Sequence, residues 1–251
     1  MKIKHISISR SGVWEECQVK YRYKYHLEVL PTKPEPPYFA YGKLVHKAAE
    51  IYVKEKGTLP IRKIASDLLT GLHTEEFKNL KLSKEYKDKL PIHLDNIEKI
   101  TTNIGYEGLL EYEIKLDMLP PNEKYLLGYV DRIIFKEDKT MILDYKTTKA
   151  GFYQKNNTTI KEDLQLRTYA YYICKKFNLK PESVFCCLYY LENKKLVCTN
   201  YTEKQMESAI EFLRENYNII ESTDESQARP NIGNHCRRCD FQNICPYGRN
   251  A

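Results

Sequence analysis

Hydrophobic and polar positions alternate through the middle of the chain in a way that is typical of β-strands. Across residues 107–117, apolar side chains occupy every second position and most of the others are charged, as expected where one sheet face is buried. Two further runs, 125–135 and 140–147, are rich in aliphatic residues and are joined by the charged turn 136–139. The pattern predicts three strands joined by short turns, which is an antiparallel meander.

The region before these strands has a helical pattern. Residues 41–56 carry apolar side chains around much of a helix, which ends at Gly57. Residues 60–105 are also mostly helical in pattern, with breaks expected near Gly71 and Pro91.

The region after the strands returns to helix and then to strand. Residues 160–177 predict a helix, 184–191 and 195–201 a strand pair, and 202–220 a last helix. The proline-rich run 31–37 reads as a rigid extended connector. The order helix, three strands, helix, strand predicts a mixed α/β (α+β) fold in one domain with helical additions.

Composition narrows the class of protein. The chain has 251 residues, 42% of them hydrophobic and 29% charged, which excludes a disordered chain and a membrane protein. The first residues begin no signal-peptide apolar run, so we expect a cytoplasmic protein, in the host cytoplasm if the source is viral. The net charge of +6 is concentrated at the two ends, which indicates an anionic partner.

The second and third strands place two carboxylates and a lysine together. If the turn is centred between Glu137 and Asp138, Asp131 faces Asp144 and Lys146 shares their face of the sheet. Two carboxylates at an apolar boundary repel each other and lose hydration, and a divalent cation relieves both costs. The alternative is a surface hairpin with a cross-strand ion pair, and these residues alone favour neither reading.

The hairpin resembles the PD-(D/E)XK nuclease superfamily, and more narrowly its RecB-like branch, which includes CRISPR-associated RecB-like exonucleases. Asp131 matches the first acidic position, in a Gly-x-Val-Asp-Arg setting, and Asp144 with Lys146 matches the Asp-x-Lys pair. The resemblance implies a restriction-endonuclease-like core of helix, three-strand meander, helix and strand, with helical insertions and a C-terminal cysteine-rich cluster segment.

Two further motifs strengthen the resemblance. Gly42 and His46 fit the Gly-x-x-x-His of the first core helix, and Gln165 with Tyr169 fits the Gln-x-x-x-Tyr of a later helix. By themselves these residues would be a core histidine and an ordinary amphipathic helix. The resemblance implies that Gln165 and Tyr169 position the substrate beside Lys146, and that Mg²⁺ or Mn²⁺ is bound by His46, Asp131, Asp144 and the backbone carbonyl of Tyr145.

The cysteines form two groups. Cys236, Cys239 and Cys245 have the spacing C-x2-C-x5-C, and the fourth ligand that a tetrahedral site needs is better supplied by Cys17 than by His235, the neighbour of Cys236. Iron–sulfur members of the family divide their cysteines in this way, so the resemblance implies a [4Fe–4S] cluster, with Zn²⁺ as the alternative. The other four are expected to be small buried side chains: Cys174, Cys186, Cys187 and Cys198.

The resemblance also implies that residues 1–251 form one nuclease domain. Residues 1–30 and 229–251 would together form the cluster-binding part, 41–56 and 106–201 the catalytic core, and 60–105 a helical insertion. 

The basic ends predict a DNA-binding surface. Lys20, Arg22 and Arg237 would contact phosphates, and Tyr21 would stack on an unpaired base. The equal alternative is a solvated basic helix whose tyrosines pack inward.

Taken together, the motifs predict a metal-dependent DNA exonuclease. Its implied substrate is single-stranded DNA or duplex ends, in recombination, end processing or CRISPR adaptation, with other proteins of those processes as partners. Two alternatives stay open: a nucleic-acid-binding module with an idle nuclease site, and a structure-specific endonuclease.

Overall fold

The structure is a computed structural model that describes Met1 and residues 3–119, 124–151 and 154–248. Its helices in these ranges are α1 (Ile8–Glu16), α2 (Gln18–Tyr21), α3 (Pro37–Lys54), α4 (Ile61–Thr70), α5 (Lys84–Ile104), α6 (Leu164–Phe177) and α7 (Glu203–Ser222). Its strands are β1 (His5–Ile6), β2 (Leu109–Leu119), β3 (Lys124–Phe135), β4 (Thr140–Lys146), β5 (Val184–Tyr190) and β6 (Lys195–Thr199). The predicted mixed α/β fold is confirmed. Across the described ranges, no helix combines the length and apolar character needed to cross a membrane.

The chain divides into two compact units, each built from separate segments. Unit 1 comprises Met1–Glu35, Ile114–Gly128 and Lys204–Ala251, and unit 2 comprises Pro36–Glu113 and Tyr129–Glu203. The predicted catalytic residues all belong to unit 2, and the four predicted cluster cysteines all belong to unit 1.

In unit 2, the second half of β3 pairs with β4 as predicted. The strands are antiparallel, with Arg132 opposite Leu143 and Phe135 opposite Thr140. Each of these pairs sums to 275, the register expected from a turn centred between residues 137 and 138. Lys136 and Lys139 close that turn with reciprocal backbone hydrogen bonds of 2.8 and 3.3 Å.

The strand after α6 joins the same sheet. β5 runs parallel to β4, with Asp144 opposite Leu188. Parallel neighbours in a sheet need a long crossover connection, and α6 provides it. β6 then returns antiparallel to β5. The carboxyl end of β4, which carries Asp144 and Lys146, is paired with β5, whereas its pairing with β3 ends at Leu143.

The helices α3, α4 and α5 of unit 2 share an apolar core with this sheet. Two of them, α3 and α5, differ from the prediction. The predicted break at Pro91 is wrong, because α5 continues through that residue. α3 begins at Pro37 rather than at residue 41, since proline lacks the N–H that a first helical turn leaves unpaired and is well accepted there. Fully buried Leu44 and Val45 of α3 belong to one apolar core that also contains Leu143 of β4.

Unit 1 joins the two ends of the chain. β1 pairs in parallel with the start of β3, His5 opposite Tyr125. The buried Tyr217 hydroxyl of α7 donates to the carbonyl of Ile3 at 2.9 Å. Its neighbour Asn216 donates to the Ser11 hydroxyl at 2.7 Å.

The prediction that the four cysteines not assigned to the cluster are ordinary buried side chains holds only in part. Cys174 and Cys186 are buried free thiols, which agrees with that reading. Cys187 and Cys198, however, lie opposite each other on β5 and β6 and form a disulfide. Cys198 is also exposed rather than buried, because it lies on the outer strand of the pair.

Candidate active site

A cavity of about 750 Å³ in unit 2 is lined by two of the predicted site residues, His46 and Lys146. One face of α3 lines it, with Phe39, Gly42, Lys43 and His46 at helical spacings of three and four residues. Lys146 at the end of β4 lines the same cavity. The helix and the strand end therefore place imidazole and ammonium groups in one space.

Three side chains in this cavity region are close enough to share one cation. Ligand atoms of His46, Glu111 and Asp131 all lie within 4.8 Å of one another. The Nδ1 of His46 is 3.2 Å from Oδ2 of Asp131, and their side chains are 29% and 13% exposed. The N–H of Tyr145 donates to the same Asp131 oxygen at 2.8 Å, which fixes the carboxylate against β4.

The protonation of this trio reflects attraction between His46 and Asp131 and repulsion between Asp131 and Glu111. Burial opposes the charged form of His46, but the negative charge and hydrogen bond of Asp131 outweigh it and raise the pKa of the imidazole to about 9. Burial favours the neutral form of Asp131, but the charge of His46 prevails and lowers the pKa of that carboxyl. For Glu111, burial and the nearby Asp131 charge raise the pKa to about 7.

Asp144 and Lys146 form a second, more deeply buried group. The Lys146 Nζ lies 2.7 Å from Oδ2 of Asp144, whose side chain is 4% exposed. Burial raises the pKa of Asp144 to about 6 although Lys146 opposes that shift. Burial alone would lower the pKa of Lys146, but the Asp144 charge outweighs it and raises that pKa, so the ammonium remains protonated at neutral pH.

The predicted Gln-x-x-x-Tyr pair extends from Lys146 to the backbone of β3. Lys146 donates to Oε1 of Gln165 at 3.3 Å, and Nε2 of Gln165 donates to the Tyr169 hydroxyl at 2.8 Å. That hydroxyl donates to the carbonyl of Tyr129 at 2.6 Å. The i, i+4 spacing on α6 thus builds a hydrogen-bond chain from the sheet to the lysine.

Glu111 is the site residue that sequence reasoning missed. Alternation along β2 placed it on the charged side with Glu113, and nothing in the pattern separates the two. The structure separates them, because Glu111 has a φ of 44°, which is uncommon for a non-glycine residue and concentrates at functional sites.

The donor set fits a divalent cation. Imidazole and carboxylate oxygens suit Mn²⁺ and carboxylates suit Mg²⁺. Oδ2 of Asp144 is buried beside the Lys146 ammonium at 2.7 Å, so the arrangement that points to a cation is the group of His46, Glu111 and Asp131. Asp144 lies outside the group formed by His46, Glu111 and Asp131, and Tyr145 stands next to Asp144 in β4.

The four predicted cluster cysteines come together in unit 1. Cys17, Cys236, Cys239 and Cys245 are free thiols that line one small cavity. The tail that carries three of them is tied to the N-terminal segment, since the N–H of Thr32 donates to the carbonyl of Asp240 at 2.8 Å.

The predicted DNA-binding residues are also in unit 1, with different environments. Arg237 is exposed. Lys20 pairs with Glu16 at 2.6 Å, and Arg22 lies 4.0 Å from Glu225. Tyr21 is fully buried with its ring packed edge-on against Trp14. The expectation that Tyr21 stacks on a base does not hold in this structure, because its ring belongs to the core.

Comparison with known proteins identifies the family of the chain. Among curated proteins, no significant match to the chain was found. A solved structure described as "Crystal structure of SSO0001" is similar, with a TM-score of 0.44 and 13% identity, over 99% of this chain and 89% of that one. The family model for the PD-(D/E)XK nuclease superfamily matches residues 5–246, which accords with the predicted restriction-endonuclease-like fold. The chain therefore belongs to the PD-(D/E)XK nuclease superfamily.

Proposed function

We propose that this protein is a metal-dependent DNA exonuclease whose active site is the cavity of unit 2. Membership of the nuclease superfamily gives the reaction class, hydrolysis of phosphodiester bonds in nucleic acid. The observation that carries the proposal is the set of His46, Glu111 and Asp131 ligand atoms within 4.8 Å, in the region where the Asp144–Lys146 pair lies. These ligand atoms are close enough to bind one cation together.

We assign the metal-binding role to His46, Glu111 and Asp131, with Asp144 and the carbonyl of Tyr145 completing the set. A bound Mg²⁺ or Mn²⁺ would polarise the phosphodiester and generate the nucleophile from water. The N–H of Tyr145 holds the Asp131 carboxylate in place through its 2.8 Å hydrogen bond.

Lys146 acts as a fixed positive charge in this proposal. Its raised pKa, which results from Asp144, keeps the ammonium protonated in the metal-free protein, and we do not assign it the role of general base. Instead it donates hydrogen bonds to the attacking water or to the phosphate oxygen on which negative charge develops. Gln165 and Tyr169 position its ammonium group.

The test uses end-labelled linear single strands and blunt duplexes, together with labelled circular single strands, each with Mn²⁺. Wild type should shorten linear DNA only with metal, and Lys146→Ala should lose about 10²–10³-fold in kcat, as when a transition-state donor is removed. Lys149→Ala is the matched control, because that lysine is exposed three residues further along the chain.

Each other outcome has a defined meaning. Cleavage of the circular strand would replace the exonuclease proposal by an endonuclease. Metal-independent binding without any cleavage would identify a nucleic-acid-binding module. Linear degradation that Lys146→Ala leaves intact would reject the assigned site.

The exonuclease mode and the biological setting have separate support. Both the exonuclease mode and the proposed setting, which is recombination, end processing or CRISPR adaptation, rest on resemblance of the motifs to the RecB-like branch. Lys20, Arg22 and Arg237 stay proposed phosphate contacts of unit 1.

We further propose a [4Fe–4S] cluster on Cys17, Cys236, Cys239 and Cys245. The support for a cluster over a single Zn²⁺ is the C-x2-C-x5-C spacing of the tail together with Cys17, a division that resembles the iron–sulfur members of the family.

Anaerobic purification tests the cluster. The protein should be brown, with four iron atoms and four sulfides per chain. Cys236→Ser should lose colour and stability, whereas Cys174→Ser, a buried free thiol of unit 2, should keep the colour. Colourless wild type with one zinc per chain would refute this assignment.

A further inference from the structure

Two large aromatic rings stand exposed at the start of α3. Tyr38 is 55% and Phe39 is 51% exposed, and their ring centroids lie 4.6 Å apart. Burying such a ring is worth roughly 1.5–3 kcal/mol, so two adjacent exposed rings forgo a considerable stabilisation. Exposed apolar groups of this kind mark a binding surface when they adjoin a site.

This pair adjoins the candidate active site directly. Tyr38 and Phe39 line the same cavity as His46 and Lys146. Phe39 and His46 are seven residues apart on α3 and therefore lie on one helix face, about 10.5 Å apart along the axis at 1.5 Å per residue. Stacked nucleotides rise about 3.4 Å each, so this distance corresponds to two or three nucleotides.

Cations flank the histidine on α3, with Lys43 between the rings and His46 and Lys47 directly after His46. Lys43 and Lys47 line the cavity there, and Lys47 also contacts Glu50 at 2.6 Å. Rings followed by lysines along one groove are what a single strand requires, because the rings stack on bases and the lysines follow the phosphates. In a duplex each base is already stacked and paired, so an internal base pair offers these rings no free face.

We propose that Tyr38 and Phe39 stack on an unpaired base two or three nucleotides from the scissile phosphate. They thereby give the site its preference for single-stranded DNA. This inference deepens the proposed nuclease function and rests on it. The two aromatic residues are positioning residues in this scheme, since they hold the strand while the cation-binding residues act on the phosphate.

Paired substitutions separate stacking from simple apolar contact. Tyr38→Ala with Phe39→Ala, and the same pair changed to Leu, should raise KM for a linear single strand about tenfold or more, with kcat and blunt-duplex KM little changed. The pair changed to Trp should retain the wild-type KM, because it keeps the rings. Phe212→Ala is the matched control, since Phe212 of α7 is 39% exposed and should change nothing.

Abasic substitution locates the contact along the strand. For wild type, an abasic sugar two or three nucleotides from the cleaved bond should raise KM as much as the Ala pair does. In the Ala pair the same abasic sugar should have no further effect, because both changes remove one contact. Three results would each overturn the proposal. The first is that the KM effects of the abasic sugar and of the Ala pair multiply at every position, and the second is an equal KM increase for duplex and single strand. The third is a wild-type KM in the Leu pair.

Failure of the nuclease function would be recognised separately. If wild type does not cleave, binding of a fluorescent single strand should still weaken about tenfold in the Ala pair and recover in the Trp pair. Equal binding by all variants would then overturn the stacking proposal, as expected if the two rings dock another protein instead.

Discussion

Removing the hydroxyl of Tyr169 tests the hydrogen-bond chain that leads to Lys146. Tyr169→Phe deletes one oxygen from a side chain that is 3% exposed, so shape and apolar packing are retained. The hydroxyl donates to the Tyr129 carbonyl at 2.6 Å and accepts from Gln165 at 2.8 Å. The substitution therefore removes two hydrogen bonds and leaves their partners unsatisfied.

The expected magnitude follows from those two bonds. Each neutral hydrogen bond contributes about 1 kcal/mol, and a buried partner left unpaired costs about 1–3 kcal/mol. We expect the free energy of unfolding to fall by about 2–3 kcal/mol, a drop in Tm of about 5–10 °C. We also expect kcat to fall about tenfold with little change in KM, because Gln165 is then released and Lys146 loses a positioned acceptor while keeping Asp144.

A matched variant separates stability from positioning. Tyr201 is 2% exposed, and its hydroxyl donates to the Ile160 carbonyl at the same 2.6 Å. Tyr201→Phe should therefore lose about 1–2 kcal/mol of stability, through one hydrogen bond rather than two, but retain kcat. Thermal unfolding and single-turnover cleavage of labelled DNA measure both quantities. Equal kcat values for the two variants would refute the positioning role of Tyr169.

Two further predictions concern protonation and the backbone. At pH 7, Mn²⁺ binding should release one to two protons, because His46 with a pKa of about 9 and Glu111 with a pKa of about 7 must both deprotonate to bind metal. Affinity should rise from pH 6 to 9, and calorimetric heats that do not depend on the buffer would contradict this. Gly108→Ala should destabilise by more than about 3 kcal/mol, because φ is +127° and a Cβ would lie 2.2 Å from the Ile133 carbonyl oxygen. Gly12→Ala in α1 meets no atom within 4 Å and should leave Tm unchanged or raised.

The hairpin could be predicted from the sequence because its turn is short and its register depends on little else. The same arithmetic misses the disulfide by one residue, because the predicted strands centre their turn on residue 193 and would place Cys187 opposite Thr199. The pair β5–β6 was predicted, but its register in the structure places Cys187 opposite Cys198, and the cysteines were assigned by apolar character rather than by position. Register thus carried information that residue type did not.

Other features depend on tertiary context. The proline-rich run gave no sign that Pro37 opens α3, so Tyr38 and Phe39 fell between the predicted connector 31–37 and the predicted helix 41–56. Glu111 has an ordinary strand sequence around it, and its unusual backbone conformation sets it apart. All three residues that extend the candidate site beyond the motifs were therefore visible only in the structure.

The segment order of unit 1 also constrains how the protein matures. Its parts come from the beginning, the middle and the end of the chain, so its native contacts are among the most distant in sequence and form slowly. During synthesis, Cys17 emerges long before Cys236, Cys239 and Cys245, the other three cysteines of the proposed cluster. Assembly of that proposed cluster would therefore wait until all four cysteines have been synthesised, and a nascent chain would carry a lone Cys17 thiol open to oxidation until then.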